Sequence, residues 1–178
     1  MPEVSNDASI LIAISYQALN RAINENPDTI LCDSVVCILF ASFFIEANLN
    51  SILNQSDLSE ERSLFYRKSY PGLGEKLGCF YYKFISNSIV KSNKKDYVED
   101  YIHVLDDKFP GFKQIYDFRN NLSHGIVDDI ANCYTLTNNI RANSKSIVDS
   151  LYTILNENSI SIARDVTYET AINKLSNS

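Results

Sequence analysis

A chain of 178 residues is long enough for one domain with a sizeable core and short for two. Its 45% hydrophobic content excludes disorder throughout. The net charge of −6 argues against broad, sequence-independent nucleic-acid binding, while leaving room for a local basic cleft.

In chain order, the first helix is expected from an N-cap at Asn6 or Asp7 to about Asn24. Ile10, Leu11, Ile14, Ala18, Leu19 and Ala22 recur at helical spacing, and Pro27 follows the end. A long second helix is expected from about Asp28 to Asn54. Val36, Leu39, Phe40, Phe43, Phe44, Ala47 and Leu53 make its first half apolar nearly all round, as suits the middle of a bundle. Ser56 or Asp57, with Glu60, can cap a further segment before Pro71, Gly72 and Gly74 break the chain. A third helix is expected from about Gly74 to Lys91, with Leu77, Phe80, Tyr81, Phe84 and Ile85 inward, and another from Asp96 to Lys108, ended by Pro110 and Gly111. Phe112, Ile115, Phe118 and Leu122 line one face of a helix reaching His124, where Gly125 can terminate it. The last helix is expected from about Asn138 to Asn156 through Ile140, Ile147, Leu151, Ile154 and Leu155. Ser159 to Tyr168 alternates weakly, as a short strand or an irregular tail would. The expected architecture is all-α, an antiparallel four- to five-helix bundle over residues 1–158 with a C-terminal extension over 159–178.

The opening MPEVSNDASI is acidic and lacks a basic n-region, so no signal peptide is expected. The longest apolar run, Val35 to Ile45, is broken by Ser42, stopped by Glu46 and too short to span a bilayer. A cytoplasmic protein without membrane contact follows as an expectation. Cys32, Cys37, Cys79 and Cys133 fit that compartment as reduced, mostly buried thiols. With no CxxC pair and no His at zinc spacing, neither a metal nor a cofactor is implied. Arg62, Arg67, Lys68, Lys76, Lys83, Lys91, Lys94 and Lys95 concentrate basic charge mid-chain, either as a solvated surface or as an RNA-facing patch.

The stretch richest in chemistry is Phe118-Arg119-Asn120-Asn121-Leu122-Ser123-His124-Gly125. Asn120 and His124 share a helix face, whereas Arg119 and His124 are about 140° apart round the axis. The latter two converge if the helix unwinds at Gly125, or if Arg119 reaches towards a site shared with a second copy. Arg119 offers a fork of donors to phosphate oxygens, where charge accumulates during transfer. His124 titrates near neutrality and suits proton transfer to or from ribose and leaving-group oxygens, as acid or as base. Asn120 can orient the ring or bind the phosphate. With a 2′-hydroxyl as internal nucleophile, no metal is required. The competing reading is a surface arginine and a histidine that helps to end a helix.

Arg119-Asn120-Asn121-Leu122-Ser123-His124 resembles the signature of the HEPN superfamily, an Arg separated from a His by four to six residues, often with a polar residue after the Arg. Phe43-Phe44-Ile45-Glu46-Ala47-Asn48-Leu49-Asn50-Ser51-Ile52-Leu53 is similar to a recurrent HEPN helix with an acidic residue before Leu-Asn. The resemblance spans about residues 8 to 156. It implies an antiparallel bundle that forms a homodimer, with two RNxxxH motifs facing one cleft, and metal-independent endoribonuclease activity on RNA of the kind used by toxins and antiviral effectors. An antitoxin or defence-system protein is then an implied partner. Other members are non-catalytic modules that bind RNA, a nucleotide or a partner protein, and this is the alternative reading. One HEPN branch, paired with a nucleotidyltransferase antitoxin, carries a Tyr two residues after the motif His. Ile126 stands there, which puts that partnership in doubt.

Glu46 aligns with Leu39, Phe43, Asn50 and Leu53 on a largely apolar face. A carboxylate there needs a partner. Either it orients Arg119 or His124 from behind, or it makes an ordinary interhelical bond to a Tyr or Asn. Asn50 and Ser123 complete the supporting candidates. His103 reads as a surface residue. Asp106-Asp107 and Asp128-Asp129 read as helix-end and loop charges, the rival being a metal-dependent nuclease site.

Overall fold

The computed structural model describes residues 8–24, 27–57, 71–86, 97–123 and 130–162, with the side chains of 8–9, 23–24, 27–32, 97–100, 123 and 130–138 excepted. The described residues form six α-helices and no strand: α1 (Ala8–Asn24), α2 (Pro27–Gln55), α3 (Leu73–Phe84), α4 (Tyr97–Lys108), α5 (Phe112–Ser123) and α6 (Ile130–Glu157). The protein is an all-α helical bundle. Three long helices of 17, 29 and 28 residues combine with three short ones of 12, rather than forming four or five long ones. The breaks at Pro71-Gly72 and Pro110-Gly111 cut the second half of the chain into short pieces.

The central position expected for α2 is observed: it packs against α1, α3, α5 and α6. Ile38, Ala41, Phe44, Ile45, Leu49, Ile52 and Leu53 are buried along it. By length and composition Asp33–Gln55 passes for a membrane-crossing helix, yet 50% of its most apolar stretch is buried inside the bundle. In α1 the buried face is turned from the expected one: Ile12 and Ala13 are fully buried, whereas Ile10 is 47% exposed. Ala18, Leu19 and Ala22 lie inside as expected. Arg21 pairs with Asp33 at 2.8 Å, and the Ser15 hydroxyl donates to the Cys37 carbonyl at 2.7 Å, so polar contacts tie α1 to α2 as well. Cys37 and Cys79 are buried free thiols. Burial pushes the Cys37 thiol above its ordinary range, against the smaller opposing effects of Ser15 and the Arg141 charge. The side chains of Cys32 and Cys133 lie outside the described residues.

The helix ends explain where expectation and structure part. Glu75 accepts from the Gly72 N–H at 2.8 Å and opens α3. Gly74 lies within close contact of Tyr116 and Ile102, where a Cβ would sit 3.1 and 3.2 Å from their side chains. This glycine lets α3 approach both α4 and α5. Helix α3 stops at Phe84 instead of running to Lys91; Ile85 and Ser86 both donate to the Tyr81 carbonyl. Asn158, beyond α6, donates to the freed Phe84 carbonyl at 3.3 Å. Ser56 closes α2 by donating to Ile52. The segment beyond it with Glu60, Arg62, Arg67 and Lys68, the basic residues Lys91, Lys94 and Lys95, and the caps Asn6 and Asp7 lie outside the described residues.

Between α4 and α5, Phe109-Pro110-Gly111-Phe112 makes a type II turn: Phe112 N–H donates to Phe109 O at 3.0 Å, and Gly111 holds φ 85°. Asp106 then accepts from the Lys113 N–H at 2.8 Å, capping α5 from the end of α4. Helix α6 begins at Ile130 rather than near Asn138 and ends at Glu157. Its end is a Schellman arrangement, with Ile160 N–H on Leu155 O at 2.9 Å and Ser159 N–H on Asn156 O at 3.0 Å. Ser159 occupies the left-handed position with φ 60°. Residues 159–162 are irregular rather than a strand, and Ile160 and Ile162 pack against the core. The rest of the expected extension, 163–178, lies outside the described residues.

A serine at that left-handed position carries a steric cost that glycine avoids, so Ser159→Gly is expected to raise stability by about 0.5–1 kcal/mol. Gly111→Ala is expected to lower it by about 1–3 kcal/mol, because the added Cβ would clash with the Asn143 side chain and φ is positive. Urea unfolding of the two variants checks both signs; a stabilised Gly111→Ala or a destabilised Ser159→Gly contradicts the turn geometry.

Candidate functional site

Glu46 lies on α2 at the border of its buried stripe, with its side chain 19% exposed. It meets two cations. The Lys76 ammonium, in the first turn of α3, donates to Oε1 at 2.6 Å, and the Arg119 guanidinium of α5 donates to Oε2 at 3.1 Å. Lys76 is 12% and Arg119 25% exposed, so the group is shielded from bulk water and open on the arginine side. One carboxylate thus links three helices whose contributing residues lie 30 and 73 positions from it in sequence.

Each member is held by its own helix. Ile45 and Leu49 are fully buried on either side of Glu46, which fixes the rotation of α2. Leu73 and Leu77 do the same for Lys76 on α3. On α5, Phe112 and Ile115 are fully buried, and Phe118 and Leu122 pack half-buried against the core. Arg119 sits about 100° round from Phe118, at the edge of that apolar stripe. From there its long side chain crosses to α2.

Of the two readings of Glu46, the pairing with Arg119 is present, and the interhelical bond to a Tyr is made by a different residue. Asn48, 6% exposed, accepts from the Tyr152 hydroxyl at 3.1 Å and donates to Phe44 O at 2.8 Å. Asn120 follows Arg119 on α5 and is half-buried. Asn50 is half-buried one turn beyond Glu46 and joins no hydrogen bond to the ion group among the described residues. Ser123 is the last residue of α5, and its side chain lies outside the described residues, as do His124, Gly125, Ile126, Asp128 and Asp129. His103 is exposed on α4. Asp106 serves as the cap of α5, which fits a helix-end charge, and Asp107 is exposed. Among the described residues no three His, Cys, Asp or Glu side chains gather in a metal-binding group.

Lys76 is the member that sequence reasoning misses. It falls in the mid-chain basic run without any spacing that singles it out, and its place depends on the close packing of α3 through Gly74. The chemical capacity of the group follows from its charges. Two cations share one carboxylate, leaving an excess of one positive charge in a partly desolvated setting. Arg119 spends one donor on Glu46 among the described residues, of the five a guanidinium carries. Such a group suits an anion with several acceptor oxygens, phosphate above all.

Removing the carboxylate leaves two neighbouring cations uncompensated. Glu46→Gln is expected to cost about 1–3 kcal/mol of stability, towards the low end because all three side chains keep some contact with water. Glu157→Gln, an exposed change on α6, should stay within about 0.5 kcal/mol. Chemical denaturation of the two variants provides the comparison, and equal, negligible effects would mean that Glu46 is fully solvated.

No family model, curated protein or solved structure matches this chain.

Proposed function

We propose that this chain is a metal-independent endoribonuclease of the HEPN type, cutting single-stranded RNA by 2′-hydroxyl attack, in the manner of a cytoplasmic toxin or antiviral effector. The observation that carries the reading is the anchoring of Arg119, first residue of the RNxxxH motif, by Glu46 on the central helix at 3.1 Å. An arginine that merely decorated a surface would have no need of a half-buried carboxylate. Held this way, its guanidinium is pre-oriented and still 25% exposed, as a phosphate-binding group must be.

The chemistry runs within the substrate. The ribose 2′-oxygen attacks the adjacent phosphorus, its proton passes to a base, and the bond from phosphorus to the 5′-oxygen breaks as that oxygen takes up a proton. Arg119 stabilises the charge on the non-bridging oxygens, and His124 serves one of the two proton transfers. Asn120 supports Arg119 and His124. The products are a 2′,3′-cyclic phosphate and a 5′-hydroxyl. Two such motifs facing one cleft would be supplied by a homodimer.

Purified protein is expected to cut single-stranded RNA in excess EDTA, spare DNA, and leave a cyclic phosphate that matures to a 3′-phosphate. Arg119→Lys and His124→Ala should each lower cutting by at least about 100-fold with helical circular dichroism unchanged. Lysine at 119 keeps the charge on Glu46 but loses the fork. RNA that is bound and never cut would favour the non-catalytic module, and cutting that requires Mg²⁺ or Mn²⁺ would sink the metal-independent mechanism.

Assembly has its own check. Light scattering at micromolar concentration is expected to give twice the 20.2 kDa chain mass. A strict monomer contradicts the shared cleft.

A further inference from the structure

We infer that Lys76 is a second phosphate-binding cation, set beside Arg119 by the shared Glu46 carboxylate, so that the site takes up one diester phosphate of the RNA chain. The inference rests on the RNA-directed reading of Arg119 and adds to it a residue that lies outside the motif, on a different helix.

The argument starts from charge. A lone Glu46–Arg119 pair would be neutral, and the carboxylate charge would repel a phosphate approaching the remaining donors of Arg119. Lys76 changes that balance. Its ammonium holds Oε1 at 2.6 Å while Arg119 holds Oε2 at 3.1 Å, so the carboxylate is divided between two cations and neutralises only one of them. The remaining positive charge matches the single negative charge of a phosphodiester. The burial of Lys76, 12% exposed, strengthens its field at short range, because little water screens it. Arg119, 25% exposed, offers its planar fork to the phosphate, and Lys76 adds a compact point charge beside it.

Position supports the same assignment. Lys76 occupies the first turn of α3, where the helix dipole disfavours a cation. Glu75, its neighbour, serves the Gly72 N–H and supplies the negative charge that suits the helix start. A cation placed against the dipole and held by a carboxylate from another helix has its role across the interface with α2 and α5. Lys145–Asp149, a pair of similar length at 2.8 Å along α6, shows the ordinary surface alternative, with both side chains more than a third exposed at 34% and 37%.

The test separates charge from packing. Lys76→Met keeps most of the stem and removes the charge, whereas Lys76→Arg keeps the charge. Binding of a fluorescent, uncleavable 2′-O-methyl oligoribonucleotide is measured by anisotropy across a salt series. The expected result is several-fold weaker binding of Lys76→Met at low salt, with the slope of log affinity against log salt shallower by about 0.7, the value for one phosphate contact on a single strand. Lys76→Arg should stay within about twofold of wild type and keep the slope, and RNA cleavage should show the loss in KM more than in kcat. Thermal melting of each variant identifies any that fail to fold, and Lys76→Gln then replaces Lys76→Met. An unchanged slope for the uncharged variant, or equal losses for Met and Arg, overturns the inference. If that happens while Arg119→Lys still loses cleavage, the nuclease reading stands without Lys76. If wild type neither binds nor cuts RNA, both fall together.

Discussion

A carboxylate carried on the central helix of a bundle must be neutralised, and Glu46 meets that requirement with two cations from two other helices. Drawing the charge partly out of water carries a cost, which Lys76 and Arg119 together offset. Lys76 depends on the seating of α3, and Arg119 on that of α5. The ion group therefore ties the formation of the candidate site to the packing of three elements. A chain in which α5 had rotated by one residue would leave the carboxylate with Lys76 alone and move Arg119 about 100° round the helix axis.

Several devices that seat α5 lie at its start. The Pro110-Gly111 turn reverses the chain, Asp106 takes the Lys113 N–H, and Gly111 lies so close to Asn143 that no Cβ fits between α5 and α6. Phe112 and Ile115 then enter the core completely. Arg119 follows one turn after Ile115, near enough to inherit a fixed rotation and far enough along to reach solvent. Sites built on packed helices in this way keep their geometry better than sites on loops.

Much of this arrangement is legible in the sequence, and what is not legible has a physical cause. The central place of α2 follows from apolar residues all round its first half. The Glu46–Arg119 pair is legible only as one of two options: a carboxylate on the face of Leu39, Phe43, Asn50 and Leu53 needs a partner, and the sequence leaves Arg119 or His124 open beside a Tyr or Asn. Lys76 is hidden because its place is set by a backbone approach at Gly74 that no periodicity reveals. The end of α3 is equally hidden: the closing group on the Phe84 carbonyl is Asn158, 74 residues on. Helix α6 starts early through Asn132, Thr135, Thr137 and Asn138, residue types that favour helix only weakly, so propensity places its start too late. In α1 the exposed Ile10 and buried Ser15 differ from a purely hydrophobic phase, because Ser15 finds a buried acceptor in the Cys37 carbonyl.

If the chain acts on RNA as proposed, its net charge of −6 limits how a group of this kind would engage it. At physiological ionic strength charges are screened over about 8 Å, so most of the surface acidity is not felt by a phosphate in contact with Arg119. At longer range the whole chain repels the polymer, and loose, sliding association is suppressed. Binding is then favoured only where a phosphate reaches the excess positive charge left by Lys76, Glu46 and Arg119. On the proposed reading, an acidic body around a small cationic group would disfavour long electrostatic contacts and favour an RNA segment that places one flexible phosphodiester into the partly buried site.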